Sequence, residues 1–552
     1  MTKILIIGGV AGGASFAARM RRLDEQAEII MFDKGEYISF ANCGLPYHIG
    51  DVITDREDLI LQTPERFNAR YNIDVRVRSE VTAINTTEKT VSIKTPERSY
   101  TENYDILLLS PGSTPIRPPI PGIENDLIFT LRTIPDMDRI KTFARKTGKG
   151  HAVVIGGGFI GLEVAENLRH IGHSVSLVEL ADQVFAPADR EMANILHRHM
   201  QHKGIDLYLT KGADKFSKTG DGKIITFLSS GKQLVADFVV LAIGVRPDTG
   251  FLSDSGIALN KQGAIIVDEH MRTNSTDVYA VGDAVEVTDL VAGVKASMPL
   301  AGPANRQARI AADNAAGIPS TYKHTQGTAI CKVFDLTAAV TGISEKNARK
   351  LGIPYLKSYT HSSSHASYYP GATTMSVKLL FAPDTGRVLG AQIIGEEGVD
   401  KRIDVFATAV RHRLTVSDLT ELELSYAPPF GSAKDPVNMA GYVAENILSG
   451  RMPHFHVEDL EGRDDATSVL LDVRTRGEHA AGTIQGSVLI PVDKLRERIA
   501  ELDKKKEIQV YCRVGLRGYI AARILLENGF RVKNLSGGYL TYKAANYNGD
   551  PE

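Results

Sequence analysis

Residues 152–161 read Ala152-Val153-Val154-Ile155-Gly156-Gly157-Gly158-Phe159-Ile160-Gly161, an apolar strand and a glycine turn, followed by a helix over Leu162–His170. A second apolar run, Val175–Val178, closes on Glu179, 18 residues after Gly161. This is a βαβ unit whose turn fits GxGxxG in full. Such a turn brings backbone N–H groups against a pyrophosphate at a helix N-terminus, where side chains would obstruct the approach. A lone glycine pattern is often a mere tight turn, but here strand, helix and terminal acid all stand in place. The pattern recurs at the start of the chain: Lys3–Ile7, then Gly8-Gly9-Val10-Ala11-Gly12-Gly13, a helix over Ala14–Leu23, and Ile29–Phe32 before Asp33. Val10 stands where the middle glycine belongs. Two units predict two dinucleotide sites.

The chain has 552 residues, room for three to four domains at roughly 150 residues each. Lysine and arginine number 64 against 66 acids, so the net charge of −2 excludes a dedicated nucleic-acid binder. Three widely spaced cysteines, Cys43, Cys331 and Cys512, cannot make a secreted disulfide framework or a four-thiolate metal site, and no metal is expected. The N-terminus lacks the apolar region and cleavage site of a signal peptide, and no run approaches the ~20 apolar residues of a membrane span. The expectation is a cytoplasmic protein without a membrane partner.

Further strands are predicted at Leu107–Ser110 and Val239–Ile243, each ending in a turn (Pro111-Gly112; Gly244-Val245-Arg246-Pro247), and over Thr273–Asp283, closing on Gly282-Asp283. From about Tyr322 alternating strands such as Ser376–Phe381 and Val388–Ile394 mix with helices at Lys401–Arg411 and Val437–Leu448. After Gly450-Arg451-Met452-Pro453 a compact α/β pattern restarts, with strands Ser468–Val473 and Glu507–Tyr511 and helices Val492–Leu502 and Gly518–Asn528.

In these motifs residues 1–446 resemble the pyridine nucleotide–disulfide oxidoreductases. The resemblance implies FAD held by Gly8, Gly13, Asp33 and Asp283, and the nicotinamide nucleotide by Gly156, Gly158, Gly161 and Glu179. It also implies a homodimer formed through a C-terminal domain. A carboxylate at Glu179 suits a ribose 2′-hydroxyl and repels a 2′-phosphate, favouring NADH, with NADPH as the alternative.

The segment Ser39-Phe40-Ala41-Asn42-Cys43-Gly44-Leu45-Pro46-Tyr47 holds one cysteine and no partner five residues on. A lone thiol must work through a sulfenic acid or a mixed disulfide with a small thiol. A buried structural cysteine is the commoner case, but Gly44 and Pro46 mark a turn, and the segment is similar to that of the family's single-cysteine branch. That branch includes NADH peroxidases and oxidases, which carry a histidine in the first loop where Ala11 stands here, and coenzyme A-disulfide reductases. On the following helix Ser15, Arg19 and Arg22 share a face, and two guanidiniums in line suit phosphates. The resemblance to the coenzyme A-disulfide reductases makes these residues, with Ser39, Asn42, Asn305 and Lys434, the coenzyme A contacts. It gives Tyr368 and Tyr426 the role of assisting the departing thiolate, reaching Cys43 of the other subunit, though Tyr369 is a neighbour that could substitute for Tyr368.

The C-terminal module resembles a rhodanese, with Cys512-Arg513-Val514-Gly515-Leu516-Arg517 between strand and helix. Such a loop aims backbone N–H groups inward and stabilises a persulfide anion, with Arg513 and Arg517 adding positive charge; Asp472 and Arg474 read as structural pins. The expected fold class is α/β: an FAD domain at 1–149 and 246–321, a nucleotide domain at 150–245, an α+β dimerisation domain at 322–448, a linker at 449–456 and an α/β rhodanese domain at 457–552. The expected function is NAD(P)H-dependent reduction of coenzyme A disulfide, coenzyme A persulfide or polysulfide, with coenzyme A as a mixed disulfide on Cys43 at rest. The rivals are an NADH oxidase or peroxidase cycling Cys43 through sulfenic acid, and a flavin-based redox sensor.

Overall fold

The computed structural model describes residues 1–549. The chain divides into two compact units, Met1–Leu180 with Thr210–Thr325, and Ala181–Leu209 with Gln326–Glu552. In the first unit one parallel sheet runs in the order Val278–Ala280, Ile106–Leu109, Lys3–Ile7, Glu28–Phe32 and Asp74–Arg76. A second orders Ser174–Val178, His151–Ile155, Phe238–Leu241 and Ile128–Phe129. Their central strands are almost continuously apolar because helices and loops cover both faces; Ile4, Leu5 and Ile6 are wholly buried.

Both fingerprint helices start earlier than the apolar pattern predicts, at Ala11–Leu23 and Phe159–His170. Their last glycines sit inside the first turn, pressed onto the preceding strand: a Cβ at Gly13 would lie 1.8 Å from the Gly8 carbonyl oxygen, and one at Gly161 1.9 Å from that of Gly156. Part of the turn expected at Gly244–Pro247 is a short strand, Val245–Pro247, antiparallel to Ser113–Pro115. The strand expected over Thr273–Asp283 is confined to Val278–Ala280.

The second unit holds an antiparallel sheet ordered Ala329–Val333, Leu336–Gly342, Val388–Gly395, Thr374–Phe381 and Leu356–Ser363, with helices Val399–His412 and Pro436–Leu448. Lys378 in this sheet is fully buried, and its Nζ meets Asp189 at 2.8 Å, Glu345 at 2.5 Å and Glu191. Burial works against its charge, but the acids prevail and keep the ammonium well above its ordinary pKa. The C-terminal part is a parallel sheet ordered His454–Phe455, Arg531–Leu535, Glu507–Tyr511, Ser468–Asp472 and Val488–Leu489. The helix expected at Val492–Leu502 is three short turns, 3₁₀ at Val492–Lys494, α at Leu495–Arg498 and 3₁₀ at Ile499–Glu501. Apolar residues three apart, Val492 with Leu495 and Ile499 with Leu502, match three residues per turn.

This C-terminal sheet domain abuts the strand Leu356–Ser363. The Tyr359 N–H donates to Ser536 Oγ (3.2 Å), His361 bridges Ser376 Oγ (2.9 Å) and Thr541 Oγ1 (2.8 Å), and Lys357 Nζ reaches Glu345 (2.9 Å) and Glu458 (2.5 Å). Burial, then the nearby Arg513 charge, hold the His361 imidazole neutral, its pKa lowered to about 4. Among the described residues no helix is long and apolar enough to cross a membrane.

Candidate active site

The first glycine turn opens on a cavity of about 730 Å³ whose lining includes Gly8, Val10, Asp33, Asn42, Ser113 and Arg132. Asp33, at the end of its strand, accepts from the N–H groups of Gly9 (2.9 Å) and Gly35 (2.8 Å). Burial outweighs those two bonds and pushes its carboxyl above the usual range. Asp283 lies just beyond the edge strand Val278–Ala280 of the same sheet; it accepts from Ser113 Oγ at 2.9 Å and faces Arg132 Nη2 at 3.5 Å. Arg132 in turn donates through Nε to the Ser113 carbonyl (3.0 Å) and, with the Asn42 amide turned to present its oxygen, through Nη1 to that oxygen (3.1 Å). The cavity thus runs from a helix N-terminus able to face a pyrophosphate to the residue beside Cys43, a shape and polarity that fit FAD. Arg132 and Ser113 were not anticipated: they lie on separate elements, and no local pattern marks them.

The second turn repeats the design. Glu179 accepts from the Gly157 N–H at 2.6 Å, as Asp33 does from Gly9. A Cβ at Gly158 would meet nothing within 4 Å, so the missing side chain leaves open space over the helix N-terminus, as a bound diphosphate requires.

Cys43 sits in a 3₁₀ turn, Asn42–Gly44, and is open to solvent. Its approach is strained: Ser39 adopts φ +43°, the left-handed region, with its N–H on the Gly9 carbonyl (2.8 Å). The protein around Cys43, then Glu163, push its thiol above the ordinary pKa; Arg132 opposes them and Asp283 adds to them. Glu163, also unanticipated, accepts a long bond from the Tyr47 hydroxyl (3.4 Å), and burial pushes its carboxyl up to about 7.

On the first helix Ser15 Oγ donates to Asn305 Oδ1 (2.5 Å), joining two of the predicted contacts. Arg19 is engaged by Asp313, with Nη2 at 2.7 Å and Nε at 2.8 Å. Of the two guanidiniums, only Arg22 is exposed without a carboxylate among the described residues. Lys434 belongs to the second unit and is exposed beside Asp435, which pairs with Arg402.

In that second unit the hydroxyls of Tyr368 and Tyr426 are 2.8 Å apart, and the side chains are 73% and 49% exposed. Tyr369 takes no part in that bond; its ring packs edge-on against His365. Cys512 lies at the bottom of its loop, its Sγ accepting from the Gly515 N–H at 3.1 Å and its carbonyl from Tyr539 N–H at 2.8 Å. The two loop arginines differ. Arg517 is clamped by Glu478 through two bonds of 2.7 and 2.6 Å, so its charge is spent inside the loop, whereas Arg513 is exposed. Asp472 accepts from Arg474, His479 and Tyr511 and ties the loop to the sheet.

Residues 2–308 match the family model described as pyridine nucleotide-disulphide oxidoreductase, residues 328–436 the dimerisation domain of that family, and residues 456–545 the rhodanese-like domain. The coenzyme A disulfide reductase of Staphylococcus aureus is 37% identical over 449 residues, covering 81% of this chain and 100% of the relative. Among solved structures, reduced Bacillus anthracis CoADR-RHD is 50% identical with a TM-score of 0.96, covering 98% of each chain. A NAD-dependent persulfide reductase from A. fulgidus is 36% identical with a TM-score of 0.92, covering 98% of this chain and all of the other. With both glycine turns, a lone cysteine and these matches, the chain belongs to the pyridine nucleotide-disulphide oxidoreductase family and carries a rhodanese-like domain behind its dimerisation domain.

Proposed function

We propose that the protein is an NAD(P)H-dependent reductase of coenzyme A disulfide and coenzyme A persulfide, with Cys43 as its redox thiol and Cys512 as a sulfur carrier. The observation that carries this reading is the lone, solvent-open Cys43, next to Asn42 in the wall of the first-turn cavity. Gly8, Gly13, Asp33 and Asp283 would hold FAD, which supplies the passage of two electrons from NAD(P)H to the sulfur chemistry when bound. Gly156, Gly158, Gly161 and Glu179 would hold the nicotinamide nucleotide, and the Glu179 carboxylate favours NADH.

The Cys43 thiolate attacks one sulfur of coenzyme A disulfide, forming a Cys43–coenzyme A disulfide and expelling a coenzyme A thiolate. The Tyr368–Tyr426 pair gives that thiolate its proton. Ser15, Asn305, Ser39, Asn42 and Arg22 form the coenzyme A contacts on the first unit; Arg19 serves by fixing the helix to Asp313. Two-electron reduction of the mixed disulfide restores the Cys43 thiolate and releases the second coenzyme A. The dimerisation domain implies a homodimer.

The test is mass spectrometry of the protein denatured with and without reductant. Reductant-dependent release of one coenzyme A per chain, abolished in Cys43→Ser, is the expected result. A Cys43 found free or as sulfenic acid would instead favour peroxide or oxygen as the acceptor.

A further inference from the structure

Around the Cys512 loop, three exposed cations have no carboxylate partner among the described residues. Arg513 follows Cys512 directly, and its carbonyl accepts from the Leu540 N–H at 3.0 Å, which sets it against the first turn of the helix Gly538–Ala545. Lys543 lies one turn further along that helix, with Nζ 5.9 Å from the Tyr539 ring centroid. Arg198 comes from the helix Arg190–His202, which packs on the C-terminal end of the same helix: Asn194 donates to the Ala544 carbonyl (2.8 Å), and Gln201 accepts from the hydroxyl of Tyr547 just beyond it. Arg198 lies four residues after Asn194 and three before Gln201, on that same face. Burial, then the charges of Arg198, Arg513 and Arg474, hold the Lys543 ammonium below its ordinary pKa. The other two arginines named here are matched, Arg474 by Asp472 at 2.7 Å and Arg517 by Glu478 at 2.6 Å.

Clustered cations without counter-charge repel one another, and an anion seated among them removes that cost. Their arrangement says which anion. Gly538 packs on the Cys512 carbonyl, and at 1.5 Å per residue the five residues from there to Lys543 carry the basic strip about 7.5 Å away from the loop. A small sulfur-donating anion would need only Arg513. A strip leading away from the thiol fits a ligand whose reactive sulfur is at one end and whose phosphates are at the other. We propose that Arg513, Lys543 and Arg198 form a phosphate-binding strip that seats the nucleotide end of coenzyme A persulfide while its sulfane sulfur meets Cys512. This rests on the reading of coenzyme A persulfide as a substrate. In the step served, the Cys512 thiolate attacks the outer sulfur; the new S–S bond makes a Cys512 persulfide, the old one breaks, and coenzyme A leaves as its thiolate with no net oxidation.

The test uses the full chain carrying Cys43→Ser and Cys331→Ala, so that Cys512 alone reports. Its persulfidation is followed by intact mass against the concentration of coenzyme A persulfide, or of pantetheine persulfide, which has the same arm without the nucleotide phosphates. Arg198→Glu with Lys543→Glu should raise the half-saturating concentration of coenzyme A persulfide about tenfold or more, leave pantetheine persulfide unchanged, and be matched by no such loss in Lys543→Arg. Equal saturation by both donors in the parent, or an equal loss for both in the variant, overturns the strip. No Cys512 persulfide from either donor in the parent overturns the sulfur-transfer reading itself, and the strip with it.

Discussion

Replacing Lys378 by methionine should cut the second unit's stability deeply while leaving the first unit's cavity intact. The lysine is wholly buried among Asp189, Glu191 and Glu345, its cation 5.4 Å from the Tyr359 ring centroid. Methionine fills the same space but strips Asp189 and Glu191 of their buried counter-charge and leaves Glu345 only Lys357 and Arg349. Removing one partner of a buried ion pair costs about 3–5 kcal/mol, or a fall of about 6–20 °C in the melting temperature of a unit this size. The loss must depend on pH. Burial works upward on Glu345 and Asp189, yet Lys378 overrides it and holds both below the usual carboxylate range. A depressed carboxyl stabilises the fold above its unfolded pKa, and that stability is lost as pH falls through the folded value. The parent therefore keeps the full contribution at neutral pH. In the variant the acids can take up protons, so the gap between the two proteins narrows as pH drops below about 4.5. Differential scanning calorimetry across pH 4–8, with retained flavin absorbance as the control for the first unit, reads both effects. A melting temperature within 2 °C of the parent at pH 7, or a gap that does not narrow in acid, would refute the reasoning.

Tyr426→Phe breaks the 2.8 Å bond to Tyr368 and should lower disulfide turnover by about 10²-fold or more without slowing alkylation of Cys43 by iodoacetamide. Glu163→Gln should erase an ionisation near pH 7 from the pH profile of Cys43 alkylation and move thiolate formation to lower pH, because the Glu163 carboxylate now holds that thiol up; an unchanged profile would rule it out. Glu478→Gln frees Arg517. Because the Arg517 bonds hold Glu478 down to about 2, about 1 kcal/mol of stability should be lost at neutral pH, with the difference from the parent closing as pH falls below about 4.5, read by thermal melting.

The parts of the molecule legible in the sequence are those whose chemistry demands local order. A glycine turn between strand and helix must be contiguous, so the two fingerprints, Asp33, Glu179 and the lone Cys43 stand out from neighbours a few residues away. The Cys512 loop is contiguous for the same reason. The remainder is assembled from distant strands. Arg132, Ser113 and Asp283 meet at one sheet edge though 170 residues separate the last two. Lys378 looks like a misplaced charge in Met375-Ser376-Val377-Lys378-Leu379-Leu380 until Asp189 and Glu345 arrive from elsewhere in the chain. Charge counted along the sequence also misleads, since Arg19 and Arg517 are already consumed by Asp313 and Glu478.

The wall between the C-terminal domain and the strand Leu356–Ser363 bears on whether the two can be parted. A Cβ at Gly537 would lie 2.6 Å from Tyr359 Cβ, and the next residue, Gly538, rests on the Cys512 carbonyl. The redox module thus supplies part of the mould in which the sulfur-carrying loop is cast. Lys357, Tyr359 and His361 therefore make this strand a party wall, and excising the C-terminal domain would bare the face that carries them.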